Sequence, residues 1–446
     1  ELPRWAMAAF EAALTVDRLW MRWFLDMVAP YQQLDEAGQK SFENRADEVL
    51  PKWDYTVYRY EDGDFIGRCA WATAYPELTT RLVRQLRGMA DICDDEPNRN
   101  YFLRLAEAYD CRDVSRLEEY WAAVDRAWVG IPPDCNVFCV HGMESEYEHP
   151  HGVSPEMRIV VRATDEELER EITRYREGTV RYAKLMLMPD HLMQAIRDKM
   201  SRTDMGAFVS LREAGCCMNF RYTGQVVPNR QGILQEGGKI FLSETAFAVN
   251  RDRMHGLVDL HCDPRTGHLV KTQVTALSGR EHTLFHESGH PLGVSAEIID
   301  GLGSAKDLLE EAKASMAGVC VCDLMDSSDD KRWEVLCALF ARVIRFMLKT
   351  NLEDKTFAAY ARENLVIATI MLRHDLIDLT PEGLRLNDDP DRIADFFGEV
   401  AAFVMSVVLA YEALDVTALG QLTEAYCAYD EEGNPKLAEI IAWVNR

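Results

Sequence analysis

Two histidines four residues apart reach one metal ion only if the backbone between them is helical. That requirement governs the stretch His286-Glu287-Ser288-Gly289-His290. On a helix, residues i and i+4 share a face and lie about 6 Å apart along the axis. Both imidazoles can then converge on one Zn²⁺, and Glu287 reaches the open metal position, where a water needs a base. Pro291 donates no helical N–H and disfavours helical geometry at the residue before it, so the helix is predicted to end at His290. Among 11 histidines in 446 residues, a chance match is an event of about a few per cent.

A catalytic zinc usually takes a third protein ligand. In the extended pattern H-E-x-x-H-x-x-G-x-x-H, Gly293 fits but Ala296 stands where the last histidine belongs. The alternative is a glutamate from the helix predicted at Leu308-Leu309-Glu310-Glu311-Ala312-Lys313-Ala314. Glu310 or Glu311 completes the site, while the other orients a ligand histidine without touching the metal. Without the upstream histidines, the two acids would simply suit the start of a helix. His282 falls on the same face as His286 and His290; it reads as a group behind the ligands or an exposed residue, not as a ligand.

The formal charge of −25 argues against nucleic acid and anionic membrane surfaces as partners. Hydrophobic and charged contents of 48% and 28% are those of a soluble globular chain. No apolar run of about 18 residues is present, so no membrane span is predicted. Glu1-Leu2-Pro3-Arg4-Trp5 does not read as a secretory signal, and the missing initial Met points to trimming or an incomplete start. The twelve cysteines form no C-x-x-C pair, and several, such as Cys139, sit among apolar neighbours. Reduced, mostly buried thiols in a cytoplasmic protein are expected.

Helical periodicity marks Trp5 to Met27, Arg81 to Ile92, Asn98 to Tyr109 and Val114 to Val129. The middle is mixed. Asn136 to His141, Arg158 to Arg162, Phe220 to Val227, Lys239 to Leu242 and Gly256 to Leu260 read as strands or extended pieces, around a long helix from Thr164 to Met186. Cys262 to His268 reads as the turn of a hairpin, with His261 and His268 flanking it. Beyond Val270 the pattern is helical again, over Leu308 to Met325, Arg332 to Lys349, Lys355 to Leu372, Ile393 to Ala413 and Lys436 to Val444. The expected fold is α+β and predominantly α-helical. Its parts are a helical 1–135, a mixed 136–269 and a helical metal-binding 270–446, with soft boundaries.

Taken in order, several segments resemble the dipeptidyl peptidase III family of zinc metallopeptidases, over roughly residues 100 to 385. His286 to His290 is similar to the family's H-E-L-L-G-H, one residue shorter, and Glu310-Glu311-Ala312-Lys313-Ala314-Ser315 to its E-E-C-R-A-E. Val227-Pro228-Asn229-Arg230-Gln231 with Gln235-Glu236-Gly237 resembles N-L-P-N-Y-D-D-x-R-Q-x-x-G. Met143 to Gly152 resembles I-E-x-Y-x-D-P-x-G, and Ala361 to Ile367 resembles A-R-F-V-I. The resemblance implies one Zn²⁺ per chain, held by His286, His290 and Glu311. Glu287 would activate water and Glu310 would orient a ligand. Glu144 (or Glu146), Tyr147 and Asn229 would line a cleft between a helical zinc lobe and a lobe with a β-barrel core. Three positions depart from the family: Tyr360 where it has a transition-state histidine, Val226 where the first Asn of N-x-P-N belongs, and Ser315 where E-E-C-R-A-E ends in an acid.

The expected activity is zinc-dependent hydrolysis of a peptide or small amide-containing substrate. Glu287 is the general base, and Tyr147 or Tyr360 stabilises the oxyanion. The alternative is a divergent zinc lyase, hydratase or hydrolase acting on a small non-peptide substrate, suggested by Val226. The pattern implies neither a nucleic-acid nor a membrane partner, and it leaves the oligomeric state open.

Overall fold

The computed structural model describes residues 2–51, 54–145, 149, 151–163, 165–218, 223–228, 230, 233, 236–348, 352 and 358–446. The fold is α+β and mainly helical. The chain divides into two compact units that interleave in sequence: Glu1–Thr164 with Thr203–Ser243, and Asp165–Arg202 with Glu244–Arg446.

The first unit packs helices around a five-stranded sheet. Its helices include α1 (Arg4–Trp23), α2 (Glu36–Val49), α3 (Pro76–Asp91), α4 (Glu96–Asp110) and α5 (Leu117–Val129). Along α1, Ala6, Ala9, Ala13, Val16, Trp20 and Trp23 recur at helical spacing and are buried, the pattern of a helix with one core face. A hairpin joins β1 (Val57–Glu61) to β2 (Asp64–Cys69). Sequence periodicity missed it in a stretch dominated by helices, yet its turn, Asp62-Gly63, has the positive φ angles that Asp-Gly adopts readily.

The sheet contains β3 (Val137–Ser145), β4 (Val153–Arg162), β5 (Thr203–Gly215), β6 (Gly224–Val227) and β7 (Gly238–Ser243), in the order β3-β4-β5-β7-β6. Only β5 and β7 run parallel; the sheet curls into a half-barrel. Phe138, Phe208 and Phe241 pack ring against ring on it, with Trp128 of α5 beside them. The sequence strands at Asn136 to His141, Arg158 to Arg162 and Lys239 to Leu242 fall on β3, β4 and β7.

The second unit is helical: α6 (Glu166–Leu185), α7 (Asp190–Arg202), α8 (Glu244–His261), α9 (Pro264–Gln273), α10 (Ala276–Gly289), α11 (Ala296–Leu302), α12 (Glu310–Met325), α13 (Asp329–Phe346), α14 (Ala358–Arg373), α15 (Pro390–Glu412), α16 (Val416–Cys427) and α17 (Pro435–Val444). Between α14 and α15 lies a hairpin, β8 (Ile377–Thr380) and β9 (Gly383–Leu386), within a region that sequence periodicity reads as helical. Helix α12 is the centre of the unit. It packs against α6, α10, α14 and α15, and it buries every residue from Ala312 to Cys322.

Two sequence expectations are corrected here, and a third is qualified. Gly256 to Leu260 is the end of α8, not a strand. Cys262 to His268 is not a hairpin turn: Asp263 accepts hydrogen bonds from the N–H groups of Arg265 and Thr266 and caps α9, with Pro264 in its first turn. Asp-Pro serves both a turn and a helix start, and the capping bonds decide it. Finally, α15 has the length and mean hydropathy (1.9) of a membrane-crossing helix, although Asp395 and Glu399 interrupt its apolar run. Ile393, Phe396, Val400, Phe403, Val404, Val407 and Tyr411 are buried inside the unit. Of the twelve cysteines, eight are buried.

Helices α10 and α12 touch backbone to backbone, and two glycines permit it. A Cβ on Gly289 would lie 2.9 Å from the Ala314 carbonyl carbon, and one on Gly318 would lie 2.5 Å from the Phe285 carbonyl oxygen. Gly318→Ala is therefore expected to destabilise the unit by about 1–3 kcal/mol or more. Gly256→Ala, at an exposed helical position with nothing within 4 Å, should stabilise by about 0.4–1 kcal/mol. Thermal unfolding of both variants checks the opposite signs; equal shifts would contradict the close-contact account.

Candidate metal centre

Helix α10 starts at a capping box, with Thr275 and Ser278 each bonding the other's backbone N–H. It ends at Gly289, with His290 as its capping residue and Pro291 next, where the sequence predicts the stop. A helix end leaves carbonyls without intrahelical donors. Here the fully buried Lys313 supplies one: its Nζ donates to the His290 carbonyl at 2.8 Å and to Glu310 Oε1 at 3.0 Å. Lys313 thus ties the end of the histidine helix to the first turn of α12, where Glu310 and Glu311 sit.

His286, His290 and Glu311 come together, their potential ligand atoms within 4.8 Å of one another. Hydrogen bonds on the far side of each ring fix which nitrogen carries the proton. Ser315 Oγ donates its only proton to Glu363 Oε1 at 2.7 Å, so it accepts from His286 Nδ1 at 2.8 Å. Glu310 Oε1 is an acceptor 3.1 Å from His290 Nδ1, so that nitrogen is also a donor. In the neutral rings both Nε2 atoms then carry lone pairs, and they lie 3.1 Å apart. Glu311 Oε2 is 3.2 Å from His286 Nε2, buried, and not aligned for a hydrogen bond.

Three lone-pair atoms facing one point are what a cation satisfies. Ligand atoms at the usual zinc distances in a tetrahedron stand about 3.3 Å apart, close to the 3.1 and 3.2 Å seen here. The donor set of two imidazoles and a carboxylate therefore fits Zn²⁺.

The charges around this point are arranged to match. Burial alone would raise the Glu311 carboxyl, yet the adjoining His286 and the charge of His290 bring it down to about 2. Burial also opposes ionisation of Glu310, but Lys313, His290 and Lys306 hold it far below the usual carboxylate range. Tyr411 of α15 donates to Glu310 Oε2 at 3.1 Å. Burial lowers His286, but Glu311, Glu287 and Glu363 outweigh it and raise the imidazole to about 9. Burial pushes His282 well below the ordinary range, helped by Arg342 and His286. Glu287 is half-buried, and its charge, with that of Glu310, acts on Lys199 of α7.

The other sequence candidates are not among these ligand atoms. His282 is buried behind the pair, 6.3 Å ring to ring from His286 and 4.0 Å from Glu363 Oε1. Tyr360 is half-buried on α14 with its ring against Phe346. Glu144 belongs to the first unit, near the end of β3, where Gln225 donates to it at 3.1 Å. It lines a recess with Tyr55, Trp121, Asp125, His141 and Arg230. Burial pushes Asp125 there up to about 6 despite the adjacent Arg230. Tyr147, Asn229 and Glu146 lie outside the described residues. The sequence reading did not single out Lys313, Ser315, Glu363 or Tyr411 as contributors to the centre. Lys313 was detectable as a cation one turn after Glu310; Tyr411, far along the chain, left no local signal.

With the His286 imidazole raised to about 9, a second proton competes with a cation for Nε2 below that pH. Protons compete less as pH rises, so apparent zinc affinity should increase from pH 6 towards 9, by up to about tenfold per unit, with proton release on loading. Calorimetric titration in buffers of different ionisation enthalpy measures both. An affinity flat over this range, with no proton released, would contradict the assignment.

No model of a known protein family matches the sequence, and no curated protein does. Solved structures do match the fold. DPP III from Caldithrix abyssi superposes with a TM-score of 0.68 at 16% identity, over 99% of this chain and 93% of that one. Dipeptidyl-peptidase III from Corallococcus sp. strain EGB superposes with a TM-score of 0.59 at 17% identity, over 94% and 75%. The chain has the fold of these dipeptidyl-peptidase III structures.

Proposed function

We propose that this chain is a zinc-dependent metallohydrolase that cuts a peptide or amide bond. His286, His290 and Glu311 hold one zinc, and Glu287 serves as the general base. The observation that carries the reading is the convergence of the two Nε2 lone pairs and the Glu311 oxygen on one point. The likeness of fold to dipeptidyl-peptidase III structures supports the substrate class.

When bound, zinc supplies Lewis-acid chemistry: it polarises a carbonyl and makes water a nucleophile near neutral pH. The protein's own groups do the rest. Glu287, on the motif helix beside His286, takes the attacking water's proton and returns it to the leaving amine. Glu310 keeps His290 oriented through Nδ1. By the family resemblance alone, Tyr360 or Tyr147 would be the oxyanion donor, and Glu144 and Asn229 would be substrate-binding residues.

Glu287→Ala is expected to retain about one zinc per chain while turnover falls by about 10²–10⁴-fold. Metal analysis and digestion of a peptide library, with a chelator control, provide the measurement. Normal turnover in Glu287→Ala would remove the general-base role. A zinc-loaded protein that leaves every peptide intact would instead favour a small non-peptide substrate, consistent with Val226 in place of an amine-recognising Asn.

A further inference from the structure

We propose that Glu363 on α14 is a positioning residue for the metal centre, acting through Ser315 to fix the neutral His286 ring in the tautomer with its proton on Nδ1 and its lone pair on Nε2. The inference rests on the zinc reading above and extends it to a helix outside both metal-binding segments.

A serine hydroxyl has one proton and can also accept. With its proton committed to Glu363 Oε1 at 2.7 Å, Ser315 offers His286 Nδ1 only an acceptor, at 2.8 Å. The neutral ring must then carry its proton on Nδ1 and leave Nε2 open towards His290 and Glu311. Without the carboxylate, the hydroxyl is free to turn and donate to Nδ1. That favours the tautomer with a proton on Nε2, which binds no metal. Ser315 alone is therefore ambiguous, and Glu363 removes the ambiguity.

Glu363 is built for a fixed orientation. It is fully buried, and Arg342 of α13 donates to both its oxygens, at 3.0 and 3.3 Å. The neighbouring His282 ring lies 4.0 Å from Oε1, and neither of its nitrogens has a hydrogen-bond partner among the described residues, so it does not compete with Ser315. A buried ion pair is weak as a source of stability compared with apolar packing. Its placement one hydroxyl away from a metal-binding ring gives it a different task.

The test is zinc affinity, measured by competition with a chromophoric chelator, together with the visible absorption of the Co²⁺-substituted protein. Ser315→Ala should weaken zinc binding by about 10–100-fold and alter the cobalt spectrum. Glu363→Leu combined with Arg342→Leu, which removes the acceptor and keeps the buried charge balanced, should weaken binding about tenfold or more. Because the groups act in one chain of bonds, the triple variant should be no worse than Ser315→Ala within about threefold. Unfolding temperatures of the metal-free proteins guard against general damage. A lowered unfolding temperature with wild-type zinc affinity would mean a purely structural role and overturn the proposal, as would losses that multiply in the triple variant. If the wild-type protein itself takes up no zinc, the hydrolase reading fails first. If it takes up zinc and the variants match it, only the role of Glu363 fails.

Discussion

The close approach of α10 and α12 is the contact on which the centre depends. The histidines lie on one helix and the glutamates on the other, so ligand convergence requires the helices to meet at short range. A pair separated by ordinary side chains keeps its axes about 8–10 Å apart. Gly289 against Ala314 and Gly318 against Phe285 remove the intervening Cβ atoms, one on each helix. Gly289 lies inside the H-E-x-x-H stretch itself, so a motif position that chemistry leaves open is closed by packing.

Around that contact, buried charge is balanced locally. Glu310, Glu311 and Glu363 are acids in or near the core of a helical unit, and each has a named partner: Lys313 with Tyr411, His286, and Arg342 with Ser315. Buried ions are tolerated when paired and hydrogen-bonded. The partners come from α12, α13 and α15 as well as from the motif helix, so the centre is held by the helical unit rather than by one segment. Lys313 serves twice, neutralising Glu310 and closing the carbonyl end of α10.

Much of this was readable from sequence where the cause was local. Pro291 marks the end of the histidine helix because a proline acts on its own neighbours, and α10 stops where that predicts. The run around 393–413 appears as α15 because its buried residues repeat at helical spacing, whereas α12, at 310–325, is buried on all sides from Ala312 to Cys322. Glu310 and Glu311 could not be told apart, since their difference lies in what faces them: Lys313 and Tyr411 for one, His286 Nε2 for the other. Asp263-Pro264 was misread because a turn and a helix cap use the same residues until the N–H groups of Arg265 and Thr266 choose. Glu363 left no trace in the sequence, since its partners on α12 and α13 are brought to it only by tertiary packing.

X-ray absorption at the zinc edge of the purified protein tests the central claim most directly. The account predicts about one zinc per chain with only nitrogen and oxygen neighbours at about 2.0–2.1 Å, including two imidazoles. Sulfur neighbours at about 2.3 Å would move the metal to the cysteines, and no stoichiometric zinc after loading would contradict the account.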